Sequence, residues 1–355
     1  MGFDFSTLGG NQAITVNLVN ELSLFFDIHL IIACKFNKNL YKVNDSIKLG
    51  IFNFSENSRL RDVFLVSFFK ILKYLISNKI EIVISSGSMG IPFVFLLKIF
   101  AKLKLIRCKI IFWEHESISK RGFKSMLFRK LAVISCDKII TVSDKILLDY
   151  VKIFKIKSNK IIRIYNPIDK PKIIEYDPNT KSLMSAGRLE KEKGFLMAIE
   201  IANIIFKKHK DWKWNIYGNG TQKNSLVEKI KEYKLEKNLI LKCNFKNIKE
   251  EYKKHSIFVL TSQREGFPLV LLEAKANLLP IVSFNCPHGP SEIVKNEING
   301  FLIDNYDINN MANKIDFLIE NLNIRNNFSK KCILDFEKFE KDKIVKKWIE
   351  LFNNI

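Results

Sequence analysis

Short apolar runs and longer amphipathic segments alternate along the second half of the chain. Runs such as Ile257–Leu260 contain only apolar residues, which is typical of strands buried on both faces of a parallel sheet. Segments such as Leu196–Phe206 carry apolar residues at helical spacing. Parallel strands joined by crossover helices form Rossmann-like sheets, so we expect residues 182–335 to be one α/β domain of this kind.

The first half of the chain shows the same alternation with less regular elements. Apolar runs predict strands at His29–Cys34 and Lys109–Trp113, and helical spacing predicts a helix over Val63–Ser77. We therefore expect residues 1–170 to form an N-terminal Rossmann-like domain that binds the acceptor.

Two segments lie outside these domains. Residues 171–181 contain Pro171 and Pro178 and break the alternation, so we expect a linker there. Residues 336–355 return to a helical pattern and predict a C-terminal helix. A chain of 355 residues is too long for one typical core, and its hydrophobic content of 47% suffices for two.

The six cysteines are scattered and include no C-x-x-C pair, which argues against a disulfide framework or a zinc site. The N-terminus lacks the basic and apolar regions of a signal peptide, and no apolar run approaches the roughly 18 residues of a membrane span. We therefore expect a cytoplasmic protein with no metal, no cofactor and no transmembrane helix.

The formal net charge of +21 is unevenly distributed. Residues 1–170 hold 27 Lys and Arg against 13 Asp and Glu, and the remainder holds 31 against 24. A basic surface favours an anionic partner, and no zinc finger or RNP motif points to nucleic acid. We therefore expect the anionic inner face of a membrane, through the predicted helix Ile91–Leu105 and a second basic cluster. That cluster consists of Lys120, Arg121, Lys124, Arg129 and Lys130. The alternative is a soluble domain whose lysines simply face water.

The segment Glu265–Glu273 combines a helix start with two carboxylates. It follows the predicted strand Ile257–Leu260, and open α/β sheets bind ligands at the carboxyl ends of their strands. Pro268 begins a helix because a first turn tolerates a missing amide proton. The free amides there form an anion site on the positive end of the helix dipole. These amides belong to Gly266, Phe267, Leu269 and Val270. Two carboxylates that accept hydrogen bonds from hydroxyls flank this site, which predicts a nucleotide-sugar site.

A basic loop lies earlier in the same predicted domain. Arg188 and Lys193 lie between Gly187 and Gly194, directly after the predicted strand Ser182–Ala186. These two cations can neutralise the leaving diphosphate of a nucleotide sugar, which other glycosyltransferases do with a metal held by D-x-D. The chain contains no D-x-D, so we expect metal-independent chemistry. Two solvated loop cations are the alternative in so basic a chain.

Three motifs together resemble the retaining glycosyltransferases of family 4. The first is E-x7-E headed by EGFP, and Ser185–Gly194 resembles the family's G-R-L-x-x-x-K-G loop. Cys286–Val294 and the following Asn299–Leu302 resemble the segment after E-x7-E. The resemblance implies the α/β GT-B fold, in which two Rossmann-like domains face each other across a cleft and a C-terminal helix crosses back to the first domain.

The resemblance also implies roles for individual residues. Glu265 contacts hydroxyls of the donor sugar, Glu273 holds the ribose, and His115 contacts the sugar from the first domain. A structural histidine bonded to nearby backbone is the alternative for His115. The catalytic residues are expected to be His115, Arg188, Lys193 and Glu265. The further donor-binding residues are expected to be Gly10, Gly187, Gly218, Phe245, Gly266, Phe267, Pro268, Leu269, Val270 and Glu273. We also expect Glu114 and Glu116 to help to bind the acceptor.

The N-terminus departs from the family pattern. The family opens with a complete strand followed by G-G-x-E-R, whereas the strand here is at best Gly2–Leu8. Ala13 stands where the family has arginine. We therefore expect a shortened first strand.

These patterns predict an enzyme that moves a hexose or an N-acetylhexosamine from a UDP-sugar to a lipid-linked or polysaccharide-precursor acceptor in bacterial cell-surface glycan synthesis. The sequence does not decide between front-face attack and double displacement, nor does it indicate an oligomeric state. A UDP-sugar epimerase of the same fold is one alternative, but it should lack the combination of E-x7-E and G-R-L-x-x-x-K-G. A non-catalytic scaffold is another, and it predicts losses among ligands that are intact here.

Overall fold

The computed structural model of the protein describes residues 5, 9–32, 36–37, 40–52, 60–118, 122–170, 176–243 and 247–355, without the side chains of residues 60–66 and 89. The chain divides into two compact units. Unit 1 is Met1–Pro167 together with Lys341–Ile355, and unit 2 is Ile168–Glu340. The last segment of the chain therefore belongs to the first unit, as the predicted fold requires.

Unit 1 contains two parallel sheets. Its described strands are β1 (His29–Ile32), β2 (Lys48–Ile51), β3 (Ile82–Ser86), β4 (Lys109–Glu114), β5 (Lys138–Thr141) and β6 (Ile161–Arg163). Its helices are α1 (Gly10–Leu22), α2 (Leu60–Ser77), α3 (Ile91–Lys102), α4 (Phe123–Ser135), α5 (Asp144–Phe154) and a C-terminal helix (Lys341–Asn353). β1 pairs with β2, and β3 to β6 pair in chain order. Because crossovers between neighbouring parallel strands are right-handed, α3, α4 and α5 lie on one face of the larger sheet.

The start of unit 1 follows the prediction only in part. β1 begins at His29 as expected, but residues 33–35 of the predicted strand lie outside the described residues. Of the predicted first strand Gly2–Leu8, only Phe5 is described, and it forms an isolated parallel bridge with Phe36.

Unit 2 is a single parallel sheet with its crossover helices. Its strands are β7 (Ser182–Ala186), β8 (Lys213–Tyr217), β9 (Leu239–Lys242), β10 (Ile257–Leu260), β11 (Ile281–Phe284) and β12 (Gly300–Ile303). Its α-helices are α6 (Phe195–Lys208), α7 (Lys223–Glu232), α8 (Ile248–Tyr252), α9 (Leu269–Ala276), α10 (Pro290–Ile293), α11 (Ile308–Glu320) and α12 (Leu322–Lys331).

The strand order of unit 2 defines where a ligand should bind. The order is β12-β11-β10-β7-β8-β9, and all pairs are parallel. The chain runs outward from β7 to β9, returns to β10 on the other side of β7, and continues outward to β12. The order therefore reverses between β7 and β10, and open sheets of this kind bind ligands beyond the carboxyl ends of the strands at such a switch point.

The core of unit 2 follows from its apolar runs. Every residue of β10 and of β11 is buried, as expected for strands covered on both faces. α6 buries Ala198, Ile199, Ala202 and Ile205, which recur at helical spacing.

Among the described residues, no helix is both long enough and apolar enough to cross a membrane.

Candidate active site

Two loops meet at the switch point of the unit 2 sheet, one after β7 and one after β10. Thr261 Oγ1 donates a hydrogen bond to the carbonyl of Lys193 at 3.0 Å. The amide of Gln263 donates to the carbonyl of Glu192 at 2.9 Å. Gly194 has a φ of +68°, and a Cβ there would lie 2.1 Å from the carbonyl oxygen of Thr261. Only glycine permits this approach, so the last glycine of the basic loop holds the two loops together.

Lys193 and Glu265 are in direct contact at this junction. Lys193 Nζ lies 2.6 Å from Glu265 Oε1, and both side chains are mostly buried. A charge-assisted hydrogen bond of this kind is strong and directional. The sheet topology thus brings together two residues that the sequence separates by 72 positions. The pair presents a cation beside a carboxylate at the carboxyl edge of the sheet.

Arg188 lies on the same loop but faces solvent. Its side chain is largely exposed, and its Nη2 atom lies 3.4 Å from Glu192 Oε1. An exposed pair of this kind contributes little to stability. The guanidinium can therefore turn toward an anion at small cost.

Gly187 and Gly218 hold the loops after β7 and β8 against each other. The amide of Gly187 donates to the carbonyl of Tyr217 at 2.9 Å. A Cβ on Gly218 would lie 1.9 Å from the carbonyl oxygen of Gly187. Loop packing therefore requires the glycine at 218, and contact of either glycine with a nucleotide stays a prediction.

The anion site predicted around Pro268 has the expected backbone with a small shift. α9 begins at Leu269, so Pro268 lies one position before the helix and not in its first turn. The first amides of a helix have no partner within it, which leaves those of Leu269 and Val270 at the positive end of the dipole. The ring of Phe267 is buried and lies 5.8 Å from the ring of Phe339, so an anion there would meet the backbone of Phe267. Gly266 directly precedes it in the loop.

Glu273 accepts a hydrogen bond from Tyr252. Tyr252 Oη lies 2.7 Å from Glu273 Oε2. The tyrosine is buried, and its ring stacks on Phe258 with centroids 5.7 Å apart. Burial raises the pKa of Glu273, and the hydrogen bond from Tyr252 opposes that rise. The sequence analysis missed Tyr252, although a tyrosine at the end of a short helix before a buried strand was a signal for it.

His115 follows β4 and is buried in unit 1. Its Nε2 atom lies 3.1 Å from Ser86 Oγ, which lies 3.1 Å from Thr15 Oγ1. Burial lowers the pKa of His115 to about 3, so the imidazole is neutral near pH 7. Its buried Nδ1 atom has no hydrogen-bond partner among the described residues. Buried polar atoms are normally satisfied, so Nδ1 is suited to a hydrogen bond with a ligand or water. Neither Ser86 nor Thr15 was predicted from the sequence.

Glu114 is an internal residue, and the expectation that it helps to bind the acceptor is wrong. Arg129 Nε lies 2.6 Å from Glu114 Oε2, Tyr150 Oη donates to the same oxygen at 2.8 Å, and the Glu116 amide donates to Glu114 Oε1. Glu114 and Arg129 are both fully buried. Arg129 is therefore also not part of a surface basic cluster, because it serves as the counter-ion of a core carboxylate.

Two predicted donor-binding residues are not joined to these sites. Gly10 is the exposed first residue of α1. Phe245 lies outside the described residues. Their contacts with the donor stay predictions.

Within the described part of the chain, the one group with metal-ligating geometry is His209, Asp316 and Glu320. Lys208 Nζ forms ion pairs with both of these carboxylates, so a cationic side chain already occupies the group. This group lies on α11 and next to α6, and contains none of the predicted site residues.

The chain matches two families along most of its length. Residues 8–171 match Glycosyltransferase Family 4, and residues 168–333 match Glycosyl transferases group 1. An uncharacterized glycosyltransferase of Haemophilus influenzae is 30% identical to this chain, over 97% of this chain and 96% of its own length. The protein therefore belongs to the family 4 glycosyltransferases, which confirms the predicted resemblance.

Two further likenesses extend over large parts of the chain. An N-acetylgalactosamine-N,N'-diacetylbacillosaminyl-diphospho-undecaprenol 4-alpha-N-acetylgalactosaminyltransferase of Campylobacter jejuni is 26% identical, over 95% of this chain and 94% of its own. The crystal structure of S. aureus TarM with Fondaparinux, alpha-GlcNAc-glycerol and UDP has a TM-score of 0.66 and 26% identity over 77% of this chain. The chain spans only 55% of the TarM chain. With the two Rossmann-like units, this likeness confirms the GT-B fold.

Proposed function

We propose that this protein is a metal-independent, retaining glycosyltransferase. It moves a hexose or an N-acetylhexosamine from a UDP-sugar to a lipid-linked or polysaccharide-precursor acceptor in bacterial surface-glycan synthesis. The observation that carries the proposal is the contact of 2.6 Å between Lys193 and Glu265 at the switch point of unit 2. A cation and a carboxylate in one place suit a substrate whose diphosphate adjoins a polyhydroxylated sugar.

Two relatives support the choice of donor and acceptor. The crystal structure of TarM holds UDP together with alpha-GlcNAc-glycerol. The name of the Campylobacter relative describes transfer to a sugar carried on diphospho-undecaprenol. A UDP-sugar donor and a lipid-linked acceptor are therefore the substrates we assign to this chain.

Charge on the leaving diphosphate is the main quantity that the site has to stabilise. As the bond from the anomeric carbon to the diphosphate oxygen breaks, negative charge grows on that oxygen. Lys193 is held in place by Glu265 and by the loop packing at Gly194, so it acts as a preorganised cation. Arg188 is exposed and closes on the diphosphate as a bidentate donor. The first amides of α9 add backbone donors on the positive end of a helix dipole.

The two glutamates and His115 read the sugars in this proposal. Glu265 accepts hydrogen bonds from hydroxyls of the transferred sugar, and Glu273 accepts them from the ribose. His115 contacts the transferred sugar through its unpaired Nδ1 atom, as a neutral group and not as a cation.

The basic composition of the first 170 residues supports action at the inner face of the cytoplasmic membrane. The net charge there is +14, which attracts an anionic leaflet. We therefore propose that the protein is cytoplasmic and binds that face peripherally.

A donor screen tests the proposed reaction. Release of UDP is measured from UDP-glucose, UDP-galactose and their N-acetyl forms, with and without a lipid-linked acceptor and with excess chelator. We expect one donor to be preferred, the acceptor to accelerate release, and the product to keep the anomeric configuration of the donor by NMR. A strict requirement for manganese or magnesium would refute metal independence, and an inverted product would refute retention.

The same screen separates the alternatives. A scaffold would bind UDP-sugars without turnover, and an epimerase would change the sugar without needing an acceptor. Lys193→Ala should abolish transfer, whereas Lys191→Ala, an exposed lysine of the same loop, should not.

A further inference from the structure

We infer that the outer face of α3 and α4 is the surface by which the protein docks on an anionic lipid bilayer. This inference rests on the membrane association proposed above and names the surface that performs it. We define the α3–α4 face by its exposed apolar side chains, which are Ile99, Leu103, Phe123, Leu127 and Ile134.

α4 has its polarity reversed relative to an ordinary surface helix. Its exposed side chains include Phe123 (84% exposed), Ile134 (57%) and Leu127 (42%), which recur at helical spacing along one stripe. The buried residues of the same helix are Arg129, Ala132 and Ser135. An amphipathic helix normally turns its large apolar side chains toward the core. α4 turns them toward the outside, as helices that lie on a membrane do.

α3 continues the apolar surface beside α4. Leu103, directly after α3, is 63% exposed, and Ile99 is 40% exposed. The two helices lie side by side on one face of the sheet. Lys98 of α3 forms a 2.6 Å ion pair with Asp137, two residues beyond α4. The exposed apolar residues therefore belong to one surface, and such surfaces on soluble proteins mark interaction sites.

The charges around this face identify the partner. Neither α3 nor α4 contains an acidic residue, and Lys102, Lys104, Lys124 and Lys130 are exposed. Lys98 and Arg129 do not contribute, because one is paired with Asp137 and the other is buried. A second copy of this chain docked by the same face would bring like charges together, which disfavours a symmetric dimer. An anionic bilayer instead pairs each lysine with headgroups while the apolar side chains enter the interface.

The position of the face suits an acceptor held in the membrane. Phe123 comes eight positions after His115, beyond the carboxyl end of β4. A bilayer that covers Phe123 therefore lies beside the edge of unit 1 where His115 is found. Docking by this face keeps that edge near the headgroups, where a lipid-linked sugar is presented.

The test uses the full chain and vesicles of two compositions, phosphatidylglycerol with phosphatidylcholine and phosphatidylcholine alone. One variant is Phe123→Ser/Leu127→Ser, and its matched control is Ile333→Ser/Leu334→Ser, a pair of exposed apolar residues in unit 2. A third variant, Lys124→Gln/Lys130→Gln, removes two cations of the face. Cosedimentation measures the partition coefficient over a salt series, and light scattering measures the oligomeric state.

We expect the wild type and the unit 2 control to bind only the anionic vesicles, with affinity that falls steeply with salt. Phe123→Ser/Leu127→Ser should lower the partition coefficient by about tenfold or more. Each lost lysine should lower it by about fivefold and flatten the salt dependence.

Three results would overturn the inference. They are unchanged binding of Phe123→Ser/Leu127→Ser, equal binding to both kinds of vesicle, and a wild-type dimer that this variant dissociates. Hydrolysis of the preferred UDP-sugar without vesicles is measured in parallel. Lost vesicle binding with intact hydrolysis supports the docking face. Absent hydrolysis in a wild type that still binds vesicles counts against the proposed reaction and leaves the docking face standing.

Discussion

The ion pair between Lys193 and Glu265 makes the two halves of the proposed donor site depend on each other. Removing one partner leaves the other as a mostly buried charge without its counter-ion, which is costly. Substitutions at these two positions therefore report both a lost ligand contact and a disturbed neighbour. Arg188 differs, because its exposed side chain can be removed without stranding a buried charge.

Lys193→Ala and Arg188→Ala should each lower turnover strongly without unfolding the protein. Loss of a preorganised charge that acts on a developing anion costs on the order of 3 kcal/mol, or about a hundredfold in kcat. Lys193→Ala should have the larger effect, because it also leaves Glu265 unpaired. The measurement is kcat for UDP release, with circular dichroism as the check on folding. Near-normal turnover in both variants would remove the role assigned to the loop.

Glu273→Gln and Glu265→Gln should affect different steps. If Glu273 holds the ribose, its substitution weakens the binding of free UDP. If Glu265 holds the transferred sugar, its substitution leaves UDP affinity nearly unchanged and lowers transfer. Calorimetric titration of UDP into both variants distinguishes the two, and equal losses of affinity would show that the roles are misassigned.

Tyr252→Phe should move the pH dependence of UDP binding. The ribose contact needs the ionised carboxylate of Glu273, so affinity falls as the pH falls through its pKa. The hydrogen bond from Tyr252 lowers that pKa against the effect of burial. Without it the pKa rises, and affinity should be lost at a higher pH than in the wild type. The readout is the Kd of UDP between about pH 5 and 8.

Tyr176→Phe is the control for this shift, because Tyr176 Oη donates to the carbonyl of Ser256 at 2.7 Å and not to Glu273. A midpoint that stays in place in Tyr252→Phe while the control behaves alike would reduce Tyr252 to a packing residue.

Residue types in motifs were predictable, whereas their partners were not. Glu265 and Lys193 were identified by their motifs, but their contact follows from the order of β7 and β10 in the sheet. Glu114 had the sequence context of a site residue, at the end of a buried strand beside His115. Its partner Arg129 comes from the next helix, and only packing shows that the pair closes inside the core.

At the scale of elements, the apolar runs of unit 2 predicted their strands closely. A strand buried on both faces must be apolar at every position, so β10 and β11 were visible as uninterrupted runs. Helix ends were less predictable because they depend on caps and on neighbouring loops. α8 ends at Tyr252, earlier than the predicted His255, and α9 starts after Pro268.

Gly194→Ala should destabilise the protein far more than Gly122→Ala. Gly194 has a φ of +68°, and an added Cβ would meet the carbonyl oxygen of Thr261 at 2.1 Å. Nothing lies within 4 Å of a Cβ added at Gly122, which also precedes a helix. We expect a loss of at least about 2 kcal/mol at Gly194 and little change at Gly122. Urea denaturation measures both, and similar midpoints for the two variants would contradict the packing argument.

At the scale of the whole molecule, unit 1 is not continuous in sequence. Its C-terminal helix is separated from the rest of the unit by all of unit 2. Trp348 of that helix is fully buried, and its ring lies 5.0 Å from the ring of Trp113, which in turn lies 4.2 Å from the ring of His115. The helix is therefore part of the packing that supports His115.

This discontinuity sets the order in which a ribosome can deliver a finished protein. Domains usually fold in the order of their synthesis. Here residues 1–167 emerge first but lack the helix that covers Trp113, whereas unit 2 emerges whole. The N-terminal unit is thus completed last, after the helix that begins at Lys341 has left the exit tunnel. Until then, a nascent chain holds its donor-binding unit complete and its His115 unsupported, so a message truncated near codon 340 yields a protein that binds nucleotide without a finished partner for it.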